Sequence, residues 1–185
     1  MSLQLAKRLL TVSEYYKMAE VGILKREERL ELIHGELILK PKITARKAAV
    51  TMRIHTYLNK IDEEKCIVSV KHPIQLDKYS EPEPDLAILH FRADFYEEKH
   101  PEPQDILLVI EVSDTSLGYD REVKKPLFAA AGIPELWIVN IEDEQVEVFK
   151  TPQNGDYIYR RDFKRGETIF VESLGFEVKV EKVLG

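Results

Sequence analysis

The run Ile106-Leu107-Leu108-Val109-Ile110 constrains this chain more than any other segment. Five apolar residues follow one another without alternation, behind a loop bracketed by Pro101 and Pro103, and the run ends at Glu111. Such a run reads as a strand buried on both faces, which belongs in the middle of a mixed or parallel sheet. Leu136-Trp137-Ile138-Val139 is a second buried strand, with Trp137 expected in the core. Between the two, Asp120 to Ala131 reads as a helix, stopped by Gly132 with Pro134 two residues later.

The remaining elements fill in around that centre. Thr11-Val12-Ser13-Glu14 is a capping box that opens a short helix to about Glu20. Aliphatic residues on either side of His34-Gly35 suggest a hairpin or bulged strand, closed by Pro41. Thr44 to Lys60 holds no glycine or proline and carries an apolar helical stripe. Cys66 to Val70 is a strand, with Pro73 to Leu76 continuing the sheet. Pro82 and Pro84 force an extended entry to the short buried strand Leu86 to Leu89. Gln145 to Lys150 and Asp156 to Arg161 form a hairpin about Asn154-Gly155, and two more short strands finish the chain. The order predicts a three-layer α/β (α+β) domain spanning 1–185.

Composition removes several function classes. With 44% hydrophobic residues and a net charge of −6, disorder is not expected. No stretch approaches the ~18 apolar residues of a membrane span. The acidic balance argues against indiscriminate coating of nucleic acid, though a local basic face or a bound metal would permit binding. A single cysteine, Cys66, excludes an intramolecular disulfide and fits a reducing cytoplasm. There is no Gly-rich dinucleotide fingerprint, no phosphate-cradling loop and no nucleophile elbow. The five histidines lack zinc-ligand spacing.

The residues that stand out are carboxylates. Asp85 begins a buried strand and Glu111 ends a more deeply buried one. An ionised carboxylate there is costly unless compensated. Neighbouring strands lie ~4.8 Å apart, so the two can share one cation. Oxygen ligands without a histidine cluster favour Mg²⁺ or Mn²⁺ over zinc. Taken singly, each is as well explained as a strand-end acid at the solvent; taken together, the metal site is the better reading. Asp120 and Lys124, at i and i+4, share a helix face, either as part of the site or as a surface pair worth ~0.3–0.5 kcal/mol. Ser113, Thr115 and Ser116 are read as helix caps in preference to phosphate ligands. Arg160, Arg161, Lys164 and Arg165, interleaved with aromatics, are read as a solvated face in preference to a backbone-tracking patch. Glu81 and Glu83 are read as exposed acids or as a wider mouth for a cation.

Gly35-Glu36-Leu37, Pro84-Asp85-Leu86-Ala87, Ile110-Glu111-Val112-Ser113, Asp120 through Lys124, and Ala131-Gly132-Ile133-Pro134-Glu135-Leu136-Trp137 resemble, in order, the Uma-type restriction endonucleases of the PD-(D/E)XK nuclease superfamily. The likeness runs from Leu10 to the C-terminal hairpin and is most specific between Glu111 and Asn140. It implies a restriction-endonuclease-like mixed sheet flanked by helices, with extra N-terminal and C-terminal hairpins. It also implies Mg²⁺-dependent phosphodiester cleavage and a cytoplasmic location. By the resemblance, Asp85 is the superfamily aspartate and Glu111 the second metal ligand. Ser113 stands where the usual lysine would be, and Lys124 on the following helix takes that role. Glu36 looks like an additional acid near the metal. Lys47 replaces a histidine often found at the start of the second helix, and Pro126 either kinks the third or marks its first turn.

The expected function is therefore a Mg²⁺- or Mn²⁺-dependent endonuclease acting on nucleic acid, DNA first. Asp85 and Glu111 would be the metal ligands, with Lys124 and Glu36 as catalytic partners. Cutting both strands takes two sites, so a homodimer is expected. The alternatives are a nuclease-fold module that binds nucleic acid or protein with weak or no catalysis, and a phosphodiesterase for a small nucleotide.

Overall fold

A computed structural model describes residues 7–25, 27–61 and 64–185. Its elements begin with α1 (Val12–Glu20), the hairpin β1 (Leu30–Ile33) and β2 (Glu36–Leu39), and α2 (Ala45–Leu58). Then come β3 (Cys66–Val70), β4 (Leu86–His90) and β5 (Ile106–Ser113). A crossover follows, made of a single turn α3 (Leu117–Tyr119), a π turn (Asp120–Lys124) and α4 (Lys125–Ala130). The chain ends with β6 (Glu135–Asn140), β7 (Gln145–Gln153), β8 (Asp156–Lys164), β9 (Thr168–Val171), β10 (Phe176–Lys179) and α5 (Val180–Leu184). Strands β3 to β8 lie side by side in sequence order in one six-stranded sheet. Only the β5–β6 pair is parallel, as a strand-to-strand crossover requires.

The unbroken apolar run of β5 sits where such a run must, between two packed layers. Leu108, Ile110 and Val112 pack with Trp137 and Val139 beneath Val50, Ile54 and Leu58 of α2 and Val180 and Val183 of α5. Val109, Leu136 and Ile138 face the other way, onto Leu127, Phe128 and Ile133. The period of two along each strand thus assigns alternate residues to the two cores.

Local chemistry sets the boundaries. The Thr11 hydroxyl accepts from the Glu14 amide at 3.2 Å, and the Glu14 carboxylate accepts from the Thr11 amide at 3.0 Å. The β1–β2 turn uses two left-handed residues, His34 (φ +50°) and Gly35 (φ +75°), the geometry that matches hairpin twist. Gly35 has a second reason to be glycine: a Cβ there would lie 2.5 Å from the Leu9 Cβ. Asn154 and Gly155 repeat the left-handed pair between β7 and β8.

The structure differs from expectation in three places. Pro73 to Leu76 does not extend the sheet; Ile74 and Leu76 donate to the carbonyls of Pro82 and Ser80 instead, both at 3.0 Å. Lys71, with φ +54°, turns the chain out of β3 just beforehand. The helix expected from Asp120 begins at Leu117 and contains a π turn, closed by the Lys125 amide on the Asp120 carbonyl. Pro126 explains it: the ring lacks an amide and would strike the carbonyl four residues back, and widening the turn removes that clash. The closing helix α5 carries no sequence signal longer than Val180-Glu181-Lys182-Val183-Leu184, and it folds because both valines and Leu184 are buried against α2 and the sheet. Among the described residues, no helix is long and apolar enough to cross a membrane.

Candidate active site

The pairing of β4 with β5 sets Leu86 opposite Ile110, so the next pair along is Asp85 opposite Glu111. Both side chains are buried. The Val112 amide donates to Asp85 Oδ2 at 2.9 Å, and the Asp85 amide donates to Glu111 Oε2 at 3.4 Å. Strand alternation puts the two carboxylates on the sheet face that also carries Ala87 and Val109, the face covered by α4.

Lysines arrive from two directions. Lys124, buried at the end of the π turn, places its Nζ 2.8 Å from Glu111 Oε1 and 3.3 Å from Glu31 Oε2. Lys47, in the first turn of α2 behind the Thr44 cap, places its Nζ 2.7 Å from Asp85 Oδ2. Glu31 comes from β1 and is held by the Tyr119 hydroxyl (3.2 Å) and the Glu83 amide (3.2 Å). Lys40 bridges Glu83 at 2.8 Å and Glu31 at 3.9 Å. Asp120 does not pair with Lys124 as a surface salt bridge; its Oδ2 accepts from the hydroxyls of Ser113 and Ser116, each at 2.7 Å. The serines therefore orient a buried carboxylate rather than cap a helix, and no side-chain cap forms at Ser116.

These groups enclose a cleft of about 240 Å³ in which five carboxylates (Glu31, Glu83, Asp85, Glu111, Asp120) face three lysines (Lys40, Lys47, Lys124). Ile38, Leu39 and Pro41 form an apolar lip on one side. Burial pushes the Glu111 carboxyl up, the Lys124 charge opposing most strongly, with Asp85 and Asp120 adding and Lys47 also opposing. Burial works against the Lys124 ammonium, but Glu111, Glu31 and Asp120 outweigh it and hold that ammonium charged well above its ordinary range. The same contest leaves Lys47 raised: burial against it, Asp85 and Glu111 for it. Lys71, opposite Asp85 on the β3 side, is pushed down by burial and by the like charges of Lys47, Arg29 and Lys40, with Asp85 opposing.

The structure brings Asp85, Glu111 and Lys124 together. It does not bring Glu36: that carboxylate is half exposed at the turn end of β2, 2.6 Å from Lys7, and takes no part in lining the cleft. The acid that β1–β2 contributes is Glu31, on the opposite strand. Glu31 is a polar residue inside Leu30-Glu31-Leu32-Ile33, and that interruption is the one sequence signal that marks it. Lys47 stood out in sequence only as a departure from the family pattern, and Tyr119 not at all. The Arg160–Arg165 cluster lies on exposed β8 and the turn that follows it, where each arginine faces a carboxylate. Among the described residues, no three His, Cys, Asp or Glu side chains converge as a ready-made metal cage.

Comparison with known proteins bears on the whole chain. Residues 12–181 match the model of the Uma2 family, described as "Putative restriction endonuclease". The fold is similar to that of a "putative nuclease" from Anabaena variabilis known from its crystal structure, with a TM-score of 0.72 over 95% of this chain and 97% of that one. Identity between the two is 14%, so the likeness speaks for the fold. No curated protein matches. With the family model covering nearly its full length and the fold agreeing, the chain belongs to the Uma2 family of restriction-endonuclease-like nucleases.

Proposed function

We propose that this protein is a Mg²⁺- or Mn²⁺-dependent endonuclease that hydrolyses phosphodiester bonds in nucleic acid, DNA being the first substrate to test. The observation that carries this reading is the β4–β5 register, which seats Asp85 and Glu111 side by side in a cleft richer in carboxylates than in lysines.

The donor set fits such an ion. Mg²⁺ binds through one or two carboxylates and keeps its other positions for water and substrate phosphate, which suits a pair of acids without a third protein ligand. Asp85 and Glu111 would hold it. A divalent cation there supplies Lewis acidity to the phosphoryl group and makes a water more acidic. The chain's own residues do the rest. Lys124, kept charged by Glu111 and Glu31, suits stabilisation of the negative charge that builds on phosphorus better than abstraction of a proton. Tyr119 and Lys40 fix Glu31, so the Lys124 ammonium is held from both sides. The Ser113 and Ser116 hydroxyls hold Asp120 in place beneath it. Cleavage of both strands requires two such sites, so we expect a homodimer, and the sole cysteine suits a cytoplasmic location.

Calorimetric titration of Mg²⁺ and Mn²⁺ into wild type and Asp85→Ala, followed by cleavage assays on DNA and RNA, tests the reading. Stoichiometric binding that disappears in the variant supports it. Cleavage untouched by both Asp85→Ala and Glu111→Ala overturns it. One observation favours a second reading, a binding module without turnover: Lys47 and Lys124 already sit on the two carboxylates at 2.7 and 2.8 Å. Steeply salt-dependent binding of nucleic acid with no metal-dependent cleavage would select that alternative.

A further inference from the structure

The cations around the cleft are not equivalent. Lys124 rests on Glu111 and Glu31, Lys47 on Asp85, and Lys40 on Glu83, with Arg29 reaching Glu83 at 4.0 Å. Lys71 belongs to the same group by position. Its amide donates to the Asp85 carbonyl at 3.2 Å, one step beyond the Val70–Leu86 pair, so it lies opposite Asp85 on the β3 side. Just past the ends of β3 and β4, Lys71 is therefore joined through its backbone to Asp85, which in turn lies opposite Glu111.

Yet Lys71 has no anion of its own: among the described residues, no carboxylate comes within 4.0 Å of its ammonium. It is half-buried, and its charge is favoured by Asp85 and opposed by the like charges of Lys47, Arg29 and Lys40. Its backbone is left-handed, φ +54°, a conformation that a lysine rarely adopts and that tends to persist where the surrounding structure imposes it. A phosphodiester approaching five carboxylates needs a cation that those carboxylates have not already consumed. Lys40, Lys47 and Lys124 are consumed; Lys71 is not.

We propose that Lys71, which lies beside the cleft rather than in its lining, is an anion subsite at the cleft's edge, binding the backbone phosphate next to the one presented to Asp85 and Glu111. This rests on the nucleic-acid reading above. The contact is to the backbone, so it adds affinity without sequence preference.

Fluorescence anisotropy of labelled single-stranded and duplex oligonucleotides, in EDTA and again in Ca²⁺, tests the subsite over a salt series. Lys71→Gln should weaken binding about 3- to 10-fold for every sequence and lower the slope of log affinity against log salt by about 1. Lys71→Arg should restore both. Lys71→Asn removes the charge while accepting the left-handed backbone, so it must show the same loss with an unchanged melting temperature. Wild-type affinity and slope in Lys71→Asn overturn the subsite alone. A wild type that binds no oligonucleotide overturns the nucleic-acid reading, and the subsite with it.

Discussion

Two charge clusters in this protein both set basic side chains against carboxylates, arginines in one and lysines in the other, and they behave oppositely. On the β7–β8 hairpin, Arg160 faces Asp162 at 3.0 Å, Arg161 faces Glu167 at 3.1 Å, and Arg165 faces Glu144 at 3.0 Å. Buried Glu147 is bracketed there by Arg121 and Arg160. Each of these arginines has an anion and keeps water. In the cleft the groups are buried and the numbers do not match: five carboxylates face three lysines. Density of charge along the sequence marks the first cluster; imbalance after burial marks the second. Only the second has an excess of acid, which a metal cation would balance.

The sharpest way to break the contrast is by activity. Asp85→Ala and Glu111→Ala should each lower the initial rate of Mn²⁺-dependent plasmid cleavage by at least about 10²-fold, the scale of losing one electrostatic catalytic group. Arg160→Ala should leave that rate within about twofold, because an exposed, screened pair contributes little. Equal losses at the two sites would end the distinction.

Stability gives the next largest difference. Lys124→Met removes the one ammonium shared by Glu111 and Glu31 and leaves both carboxylates buried, so urea unfolding should show a loss of about 3–5 kcal/mol. Arg165→Ala, whose pair with Glu144 is exposed on both sides, should cost less than about 1 kcal/mol. A Lys124→Met protein as stable as wild type would mean that solvent reaches the cleft floor freely.

The two regions also differ in how far the sequence discloses them. The β8 hairpin is legible outright, since Asn154-Gly155 and the alternation around it are local signals. Glu111 is legible because it ends an apolar run, and Asp85 because two prolines deliver it to the next. Glu31 is not, because its burial depends on Tyr119 and Lys124, 88 and 93 positions away, folding over the hairpin. Glu36 carried the family signal instead, and it lies two register positions from Glu31 along the hairpin, directly opposite Ile33. The π turn was legible only as a proline problem: Pro126 declares that a regular helix fails, not how it fails.

That turn allows a finer test of the cleft side. Pro126→Ala restores an amide and lets Asp120–Lys124 relax toward regular α geometry, shifting the Lys124 ammonium against Glu111. Displacements near 1 Å at a catalytic group are costly, so cleavage should fall about tenfold. Stability should move by less than about 1 kcal/mol, because proline is tolerated in the first turn of α4. An unchanged rate would show that the π turn is incidental to the position of Lys124.

Glu81 offers the smallest effect and an intermediate case, a buried carboxylate that pairs with no lysine or arginine among the described residues. Its Oε1 accepts from the Tyr16 hydroxyl at 2.6 Å, that hydroxyl lies 3.0 Å from His100 Nε2, and Oε2 has no hydrogen-bond partner among the described residues. Burial raises the Glu81 carboxyl above its ordinary 4.5, more than the Tyr16 hydrogen bond and His100 lower it. In the unfolded chain the group ionises first, so the folded state holds its proton longer. The resulting stability is complete below pH 4.5 and is lost as the pH rises through the elevated folded value. Glu81→Gln keeps an acceptor for Tyr16 and cannot ionise. Melting temperatures of the two proteins should therefore converge in acid and separate as the pH rises above 4.5, with Glu81→Gln the higher. Parallel curves would mean that water entering beside Tyr16 and His100 solvates the ionised carboxylate. Glu81 would then group with the solvated hairpin charges rather than with those of the cleft.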